Sequence, residues 1–209
     1  GKLGLPVALA IESKGHDIFG TDISNTTLEN IKNKKINYKE IWVDDYLKNT
    51  KLQVLDLEGI VRNSDIIFVP IQTPHEEKYE GVTRIPKERA DFNYEYLIKG
   101  MKDLSNEIEK QGDDKIVIII STVLPGTVRK EIKPLLSKKI KLCYNPFFIA
   151  MGSTMRDFLH PEFVLFGVDD LEAYKVCKEF YRSVTNAQLY DTTIENAELI
   201  KVSYNTLIS

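Results

Sequence analysis

The first 22 residues place the strongest constraint on the fold of this 209-residue chain. Gly1 and Gly4 have the spacing of the last two glycines of the pattern G-x-G-x-x-G. An apolar, helix-like segment follows over residues 5–11, and a short β-like run then ends in Asp22. This order of glycine turn, helix, strand and acid is typical of a dinucleotide-binding βαβ unit. Two glycines before a helix also occur in an ordinary turn, so the spacing alone leaves both interpretations open.

Each part of such a unit has a physical task at the dinucleotide. One glycine lets the backbone approach the pyrophosphate, the next lets helix and strand pack closely, and the helix N-terminus attracts the phosphates. A carboxylate at Asp22 accepts hydrogen bonds from the ribose hydroxyls and repels a 2′-phosphate, so the sequence predicts NAD rather than NADP. The unit normally opens with a buried strand and a first glycine. We therefore expect that strand to precede Gly1 and the chain to be a fragment.

Composition and charge exclude several classes of protein. The net charge is −3, and the basic residues are scattered among acidic ones, which argues against nucleic acid as a partner. No apolar run approaches the roughly 18 residues of a membrane span, so no membrane partner is expected. Cys143 and Cys177 do not make a disulfide framework and indicate reduced thiols in a cytoplasmic protein.

Alternating apolar runs and helical patterns predict an α/β fold with a doubly wound, mainly parallel, Rossmann-like sheet and a long C-terminal connecting helix. Continuous apolar runs at residues 65–71 and 115–120 indicate strands that are buried on both faces. Further strands are predicted at residues 140–144, 163–167 and 188–190. Helices are predicted at residues 25–35, within 36–50, at 56–63, at 91–110 with Asp91 as N-cap, after 127, at 169–183 and from 193 onward. Residues 75–89 are predicted to form a long exposed loop.

Polar side chains follow three of the predicted strands. They are Thr73-Pro74, Ser121-Thr122 and Asn145-Pro146. Ligands of doubly wound sheets bind beyond the carboxyl ends of the strands, where hydroxyl groups can contact cofactor or substrate. Ser121 and Thr127 fit the capping of the following helix equally well.

The last predicted helix carries Lys201 and Asn205, which the i,i+4 spacing places on one face. An ammonium and an amide side by side can stabilise a developing oxyanion. Glu198 lies one turn before Lys201, and a surface Glu198–Lys201 ion pair is the interpretation that spacing alone favours.

Five stretches, spread over the whole chain and in one order, resemble the UDP-glucose/GDP-mannose dehydrogenase family of nucleotide-sugar 6-dehydrogenases. They are Gly1-x-x-Gly4-Leu5-Pro6 with Gly15-His16-Asp17 and Asp22; Asp65-Ile-Ile-Phe-Val-Pro with Thr73-Pro74; Ser121-Thr-Val-x-Pro-Gly-Thr127; Tyr144-Asn-Pro; and Ala197-Glu-Leu-Ile-Lys201-x-x-x-Asn205. The resemblance implies two NAD-dependent oxidations of the C6 alcohol of a nucleotide sugar, of the UDP-sugar type, through a cysteine thioester to the uronate.

The resemblance also implies a domain division, a set of site residues and an assembly. Residues 1–190 would form the NAD-binding domain and residues 191–209 the start of a helix that leads to a substrate domain. The full-length protein would be a homodimer. No metal is implied. NAD would contact Gly1, Leu3, Gly4, Asp22, Thr73, Ser121 and Thr122. Lys201 and Asn205 would stabilise the oxyanion, and Thr122 would help to hold the catalytic water.

The chain departs from the family pattern in two respects, which indicate a divergent branch. The family's cysteine nucleophile lies beyond residue 209, and neither Cys143 nor Cys177 matches it, so we expect no turnover from these residues alone. The family usually carries acids where this chain has Phe147 and Met151. Thioester hydrolysis would then need a substitute acid, for which Asp157 and Glu162 are candidates.

Two other functions remain open. A hydroxyacid dehydrogenase of the 6-phosphogluconate type also places a Lys–Asn pair on a helix after a nucleotide-binding domain. The run from Ser121 to Thr127 favours the nucleotide-sugar enzyme over it. Phe147 and Met151 also fit a non-catalytic protein that binds NAD or a sugar nucleotide.

Overall fold

The structure is a computed structural model that describes residues 1–79, 84 and 86–208. The predicted loop at residues 75–89 lies partly outside the described residues, namely at 80–83 and 85. Its described beginning contains one turn of 3-10 helix, Glu77–Tyr79.

Within the described residues, the strands form a two-stranded and a five-stranded sheet. The strands are β1 Phe19–Gly20, β2 Gln53–Val54, β3 Ile66–Val69, β4 Lys115–Ile119, β5 Ile140–Tyr144, β6 Phe163–Val168 and β7 Gln188–Thr192. β1 pairs with β2 in parallel, and the larger sheet has the order β3-β4-β5-β6-β7. Every neighbouring pair in the larger sheet is parallel except β5 and β6. The predicted mainly parallel sheet is confirmed.

Helices cover both faces of the sheet. They are α1 Gly4–Glu12, α2 Asn25–Lys32, α3 Val43–Asn49, α4 Leu57–Asn63, α5 Glu95–Gln111, α6 Thr154–Leu159, α7 Leu171–Val184 and α8 Ile194–Ile208. After β4 the chain forms a π-type helical turn, Val128–Ile132, and a 3-10 turn, Lys133–Leu135.

The sheet separates two apolar cores, which confirms the doubly wound arrangement. Side chains of α1, α3, α6 and α7 form one core with residues such as Leu9 and Phe166. Side chains of α4, α5 and α8 form the other with residues such as Met101 and Ile194. All five residues of β4 are buried. A strand that faces both cores must be apolar on both faces, which is why its sequence is a continuous apolar run.

Four details differ from the sequence prediction. The helix predicted to begin at Asp91 begins instead at Glu95, so Asp91 is not its N-cap. The carboxylate of Asp91 accepts hydrogen bonds from the Phe92 N–H and the Tyr94 hydroxyl, which hold this segment outside the helix. The short strand β2 and helix α6 were not predicted, and β7 continues past residue 190 to Thr192.

Helix α8 lies unusually close to the sheet at Gly167 in β6. A Cβ atom at Gly167 would lie 2.8 Å from the Cα atom of Ile194 and 3.0 Å from the Cβ atom of Ala197. The nearest obstacle is backbone, so it cannot move without moving the helix. The missing side chain at Gly167 therefore sets the distance between α8 and the sheet.

Replacing Gly167 with Ala should push α8 outward and reduce the free energy of unfolding by about 1–3 kcal/mol, the usual cost of overpacking. Gly20→Ala in strand β1 is the control, because a Cβ there meets only the Leu52 Cδ2 atom at 3.7 Å, an ordinary contact. Urea unfolding of both variants measures the difference. Equal losses in the two variants would contradict the close approach.

Candidate active site

The glycine turn lies against the end of strand β3. Helix α1 begins at Gly4, where a Cβ atom would lie 3.1 Å from the Pro70 Cγ atom, so a larger residue would separate the turn from the strand. Leu3 is half-buried against the apolar core. Among the described residues no side chain caps α1, and its first turn contains no acid. The positive end of this helix therefore faces no side-chain acceptor of the described residues and is suited to a phosphate.

Asp22 lies at the end of the next strand and faces this turn. Its Oδ1 atom accepts a hydrogen bond from the Ser24 N–H at 2.9 Å, and its Oδ2 atom lies 3.2 Å from the N-terminal nitrogen of Gly1. The Ser24 contact orients the carboxylate beside the turn, and the side chain remains one quarter exposed. Asp22, one of the residues predicted to contact NAD, thus lies beside the glycine turn.

Hydroxyl groups join the carboxyl ends of β3, β4 and β5. The Thr73 hydroxyl donates to the carbonyl of Thr122 at 2.6 Å, and the Ser121 hydroxyl donates to the carbonyl of Ile71. The Tyr144 hydroxyl donates to the carbonyl of Ser121 at 3.2 Å. The three strand ends therefore form one connected edge, and Thr122 lies half-buried on it.

The helix-capping alternative for Ser121 and Thr127 is wrong. The Ser121 hydroxyl bonds to carbonyl groups of the neighbouring strand end, and the Thr127 hydroxyl donates to the Tyr94 hydroxyl at 3.3 Å. Among the described residues, neither accepts a capping bond from the following helical turn. Both side chains fix the loop that follows β4.

Asn145, in the third predicted polar cluster, is buried and structural. Its Nδ2 atom donates to the carbonyl of Leu165 at 2.8 Å, and its Oδ1 atom accepts a hydrogen bond from the Tyr181 hydroxyl. Both ends of the amide are thereby occupied. Asn145 positions the loop at residues 145–152.

Lys201 and Asn205 lie together on α8, as the spacing predicts. The Lys201 Nζ atom donates to Asn205 Oδ1 at 2.8 Å and lies 5.2 Å from the centre of the Phe148 ring, in the loop after β5. Lys201 is only 7% exposed, and this burial lowers its pKa to about 8. The structure therefore places a desolvated amine, oriented by an amide, next to the loop after β5.

Glu198 does not form the surface ion pair that its spacing suggested. Its side chain is completely buried, and its carboxylate accepts hydrogen bonds from the backbone N–H groups of Val128, at 2.8 Å, and Gly126. Burial raises its pKa, while these two hydrogen bonds oppose the rise. Glu198 therefore anchors α8 to the loop after β4, one turn before Lys201. Sequence reasoning missed this role, because spacing along a helix does not show which side chains are buried.

The loop at residues 145–152 contains no carboxylate at the positions where the family pattern has acids. Phe147 is buried, with its ring centre 5.3 Å from that of Phe158, and Met151 is exposed. Burial opposes ionisation of Asp157, but hydrogen bonds from Ser153 and Arg156 outweigh it, so the pKa of Asp157 is lowered. Glu162, the other candidate acid, is exposed.

Other classes of site find little support in the described part of the chain. It contains no group of three or more His, Cys, Asp or Glu side chains that could hold a metal ion. Cys143 and Cys177 are both buried, unpaired thiols. None of the helices that the structure describes combines the length and the apolar character needed to cross a membrane.

A doubly wound sheet with a glycine turn, an uncapped helix N-terminus and an acid after the next strand defines a nucleotide-binding domain of the Rossmann type. Comparison with known families identifies which family of nucleotide-binding proteins the chain belongs to. The chain belongs to the UDP-glucose/GDP-mannose dehydrogenase family, and residues 1–185 match the NAD binding domain of that family.

Curated relatives align over nearly the whole chain. A UDP-N-acetyl-D-mannosamine dehydrogenase of Methanococcus maripaludis is 25% identical over 99% of this chain and 46% of its own length. A UDP-glucose 6-dehydrogenase of Rickettsia prowazekii is 27% identical over 100% of this chain and 47% of its own length. The chain thus spans about half the length of the curated relatives that it matches.

Solved structures confirm the fold. A GDP-mannose dehydrogenase of Pseudomonas aeruginosa superposes with a TM-score of 0.87 at 24% identity, over 99% of this chain and 48% of that protein. A UDP-glucose dehydrogenase of Pyrobaculum islandicum gives a TM-score of 0.86 at 21% identity, over 99% of this chain and 48% of that protein. The sheet and the position of its helices are therefore those of dehydrogenases in this family.

Lys201 should titrate near pH 8, well below the value of about 10.5 expected in the unfolded chain. Between these values unfolding takes up a proton, so stability relative to a Lys201→Met variant should rise as the pH increases through that window. Nuclear magnetic resonance of side-chain labelled lysines measures the titration directly. If every lysine signal that titrates near pH 8 persists in Lys201→Met, the assignment is wrong.

Proposed function

We propose that this chain forms the NAD-binding part of an enzyme that oxidises the C6 alcohol of a nucleotide sugar, of the UDP-sugar type, to the uronate. The observation that carries the proposal is Lys201, a desolvated amine held by Asn205 at 2.8 Å beside the loop after β5. The names of the relatives support the substrate class, since they include UDP-glucose 6-dehydrogenase and UDP-N-acetyl-D-mannosamine dehydrogenase.

The residues at the glycine turn fit NAD. Gly1, Leu3 and Gly4 would bring the backbone and the N-terminus of α1 to the pyrophosphate, because α1 is uncapped within the described residues and Gly4 allows close contact with Pro70. Asp22 would accept hydrogen bonds from a ribose. When bound, NAD supplies the acceptor for a hydride from the substrate carbon.

The connected strand ends would hold the nicotinamide half of the cofactor. Thr73 and Thr122 lie on this edge and are both partly accessible. The Ser121 hydroxyl is already bonded to the carbonyl of Ile71, so we assign Ser121 a positioning role through the strand end. Thr122 would help to hold the water that attacks the acyl intermediate.

Lys201 and Asn205 would stabilise negative charge on the substrate oxygen. Asn205 accepts a hydrogen bond from Lys201 through its oxygen, which leaves the Nδ2 atom of its amide as a second donor. A lysine whose pKa is about 8 holds its proton at neutral pH and can also release it at little cost. Because the oxyanion exists only along the reaction, loss of this pair should affect the chemical step most.

The water-dependent step is the one that this chain's side chains support least. Phe147 packs against Phe158 and presents no carboxylate. The carboxylate of Asp157 already accepts hydrogen bonds from the Ser153 hydroxyl at 2.6 Å and the Ala150 N–H at 3.2 Å. A substitute base would have to come from Glu162 or from outside these residues.

Turnover of the full-length protein tests the proposed function. The protein is incubated with NAD and, separately, with UDP-glucose, UDP-N-acetylmannosamine, GDP-mannose and 6-phosphogluconate, and NADH is measured. We expect NADH with a nucleotide sugar and a loss of about 10²–10³-fold, mostly in kcat, in Lys201→Ala. The control Lys175→Ala, at a lysine of α7, should keep full activity.

Two results would overturn the proposal. NADH formed only from 6-phosphogluconate would favour the hydroxyacid dehydrogenase. Binding of NAD without oxidation of any of these compounds would favour the non-catalytic protein.

A further inference from the structure

A cleft beside the glycine turn contains buried oxygen atoms that have no partner in the described part of the chain. Its volume is about 190 Å³. Its lining residues are Lys2, Tyr38, Lys39, Glu40, Met151 and Gly152. The cleft thus brings together the glycine turn, the segment between α2 and α3, and the loop after β5.

Glu40 forms the floor of the cleft and is only 7% exposed. Its Oε2 atom accepts hydrogen bonds from the Gly152 N–H at 3.0 Å and the Thr154 hydroxyl at 3.2 Å. Its Oε1 atom is buried and accepts no hydrogen bond from any described residue. An unsatisfied buried acceptor costs about 1–3 kcal/mol, and more when it is charged. Oε1 is therefore suited to a hydrogen-bond donor from outside the chain.

The hydroxyl of Tyr38 is a second buried group in the cleft, and it too lacks a partner among the described residues. Burial, and then the nearby charge of Glu40, raise the pKa of Tyr38 to about 12. Tyr38 therefore keeps its proton at neutral pH and can donate one hydrogen bond and accept another. The acceptor of Glu40 and the hydroxyl of Tyr38 line the same cleft, and together they suit a ligand with more than one hydroxyl group, such as a sugar.

The mouth of the cleft is positively charged. Lys2 and Lys39 are both exposed there, and Lys2 lies in the glycine turn that opens α1. A helix N-terminus and an ammonium group both attract an anion. A ligand that fits the whole cleft would therefore carry hydroxyl groups for Glu40 and Tyr38 at one end. At its other end it would carry a phosphate for Lys2 and Lys39.

We propose that the cleft binds the hydroxyls of a phosphorylated sugar whose phosphate lies at the glycine turn, with one hydroxyl donating to Glu40 Oε1 and another bonding to Tyr38. This inference rests on the proposed function, which supplies two sources of the same chemistry. They are the ribose phosphate of NAD and the sugar phosphate of the nucleotide sugar.

Trp42 provides a built-in probe of the cleft. It is the only tryptophan in the sequence and lies two positions after Glu40. Its backbone has φ 70°, in the left-handed region that bulky residues rarely adopt. Its side chain is 40% exposed and packs edge-on to His160 at 6.4 Å between ring centres. A ligand seated on Glu40 should therefore change its fluorescence.

The test is a titration of the 209-residue chain with NAD, UDP-glucose and ribose 5-phosphate, each in a separate experiment. Binding is measured by the fluorescence of Trp42 and by calorimetry. Glu40→Gln keeps the shape and one oxygen for Gly152 and Thr154, but it replaces Oε1 with a donor. We expect it to weaken binding of NAD, of UDP-glucose or of both by about 10–100-fold. Asp44→Asn, an exposed acid on the same segment with the same change of charge, should leave affinity unchanged.

Tyr38→Phe is the second variant, for which we expect about 3–10-fold weaker binding, and it decides the test if Glu40→Gln does not fold. Weakening for NAD alone identifies the cofactor ribose, and weakening for UDP-glucose alone identifies the nucleotide sugar. Affinities unchanged in both variants, with NAD still bound, would overturn this inference and leave the proposed function intact.

If the unmutated chain does not bind NAD, the proposed function fails, and ribose 5-phosphate decides the inference separately. Binding of ribose 5-phosphate that is lost in Glu40→Gln would support the cleft as a sugar-phosphate site. Absence of such binding, or binding that is equal in the variant, would overturn it.

Discussion

The buried carboxylate of Glu198 connects the two parts of the candidate site. It accepts hydrogen bonds from the backbone N–H groups of Gly126 and Val128, which lie in the segment after β4. Glu198 itself lies on α8, the helix that carries Lys201. Gly167 in β6 lets α8 approach the sheet, because a Cβ atom at Gly167 would collide with the backbone of α8 at Ile194. The position of Lys201 relative to Thr122 therefore depends on one charge-assisted contact and one absent side chain. Neither group needs to touch a ligand to have this effect.

The site combines two opposite electrostatic environments. At the glycine turn the N-terminus of α1 and the exposed Lys2 favour an anion, and in the proposed function Asp22 would repel an additional phosphate at the ribose. Next to the loop after β5, burial makes the ammonium of Lys201 costly and lowers its pKa to about 8. A charge that is destabilised in the resting protein is stabilised by negative charge that develops on a substrate. In the proposed function, one end of this edge would bind phosphate and the other would stabilise an oxyanion.

Sequence patterns predicted those features that depend on local periodicity. Strand β4 was recognised because both of its faces are buried, and Lys201 and Asn205 were paired because helical spacing brings them together. Features that depend on distant contacts were missed. Asp91 resembles a helix cap, but its carboxylate bonds to Phe92 and Tyr94 instead. No local pattern indicated that Glu40 is buried and hydrogen-bonded, because its partner Gly152 lies 112 positions away in the chain.

We expect NAD to bind at the turn beside Asp22, and competition between NAD and NADP tests this binding site most directly. We predict that the unmutated chain binds NAD more tightly than NADP, and that Asp22→Ala reduces the preference by about 10–100-fold, equivalent to the 1–3 kcal/mol of a charge-assisted hydrogen bond. Asp17→Ala, at an exposed acid before β1, should preserve the preference. Equal binding of NAD and NADP by the unmutated chain would contradict the account.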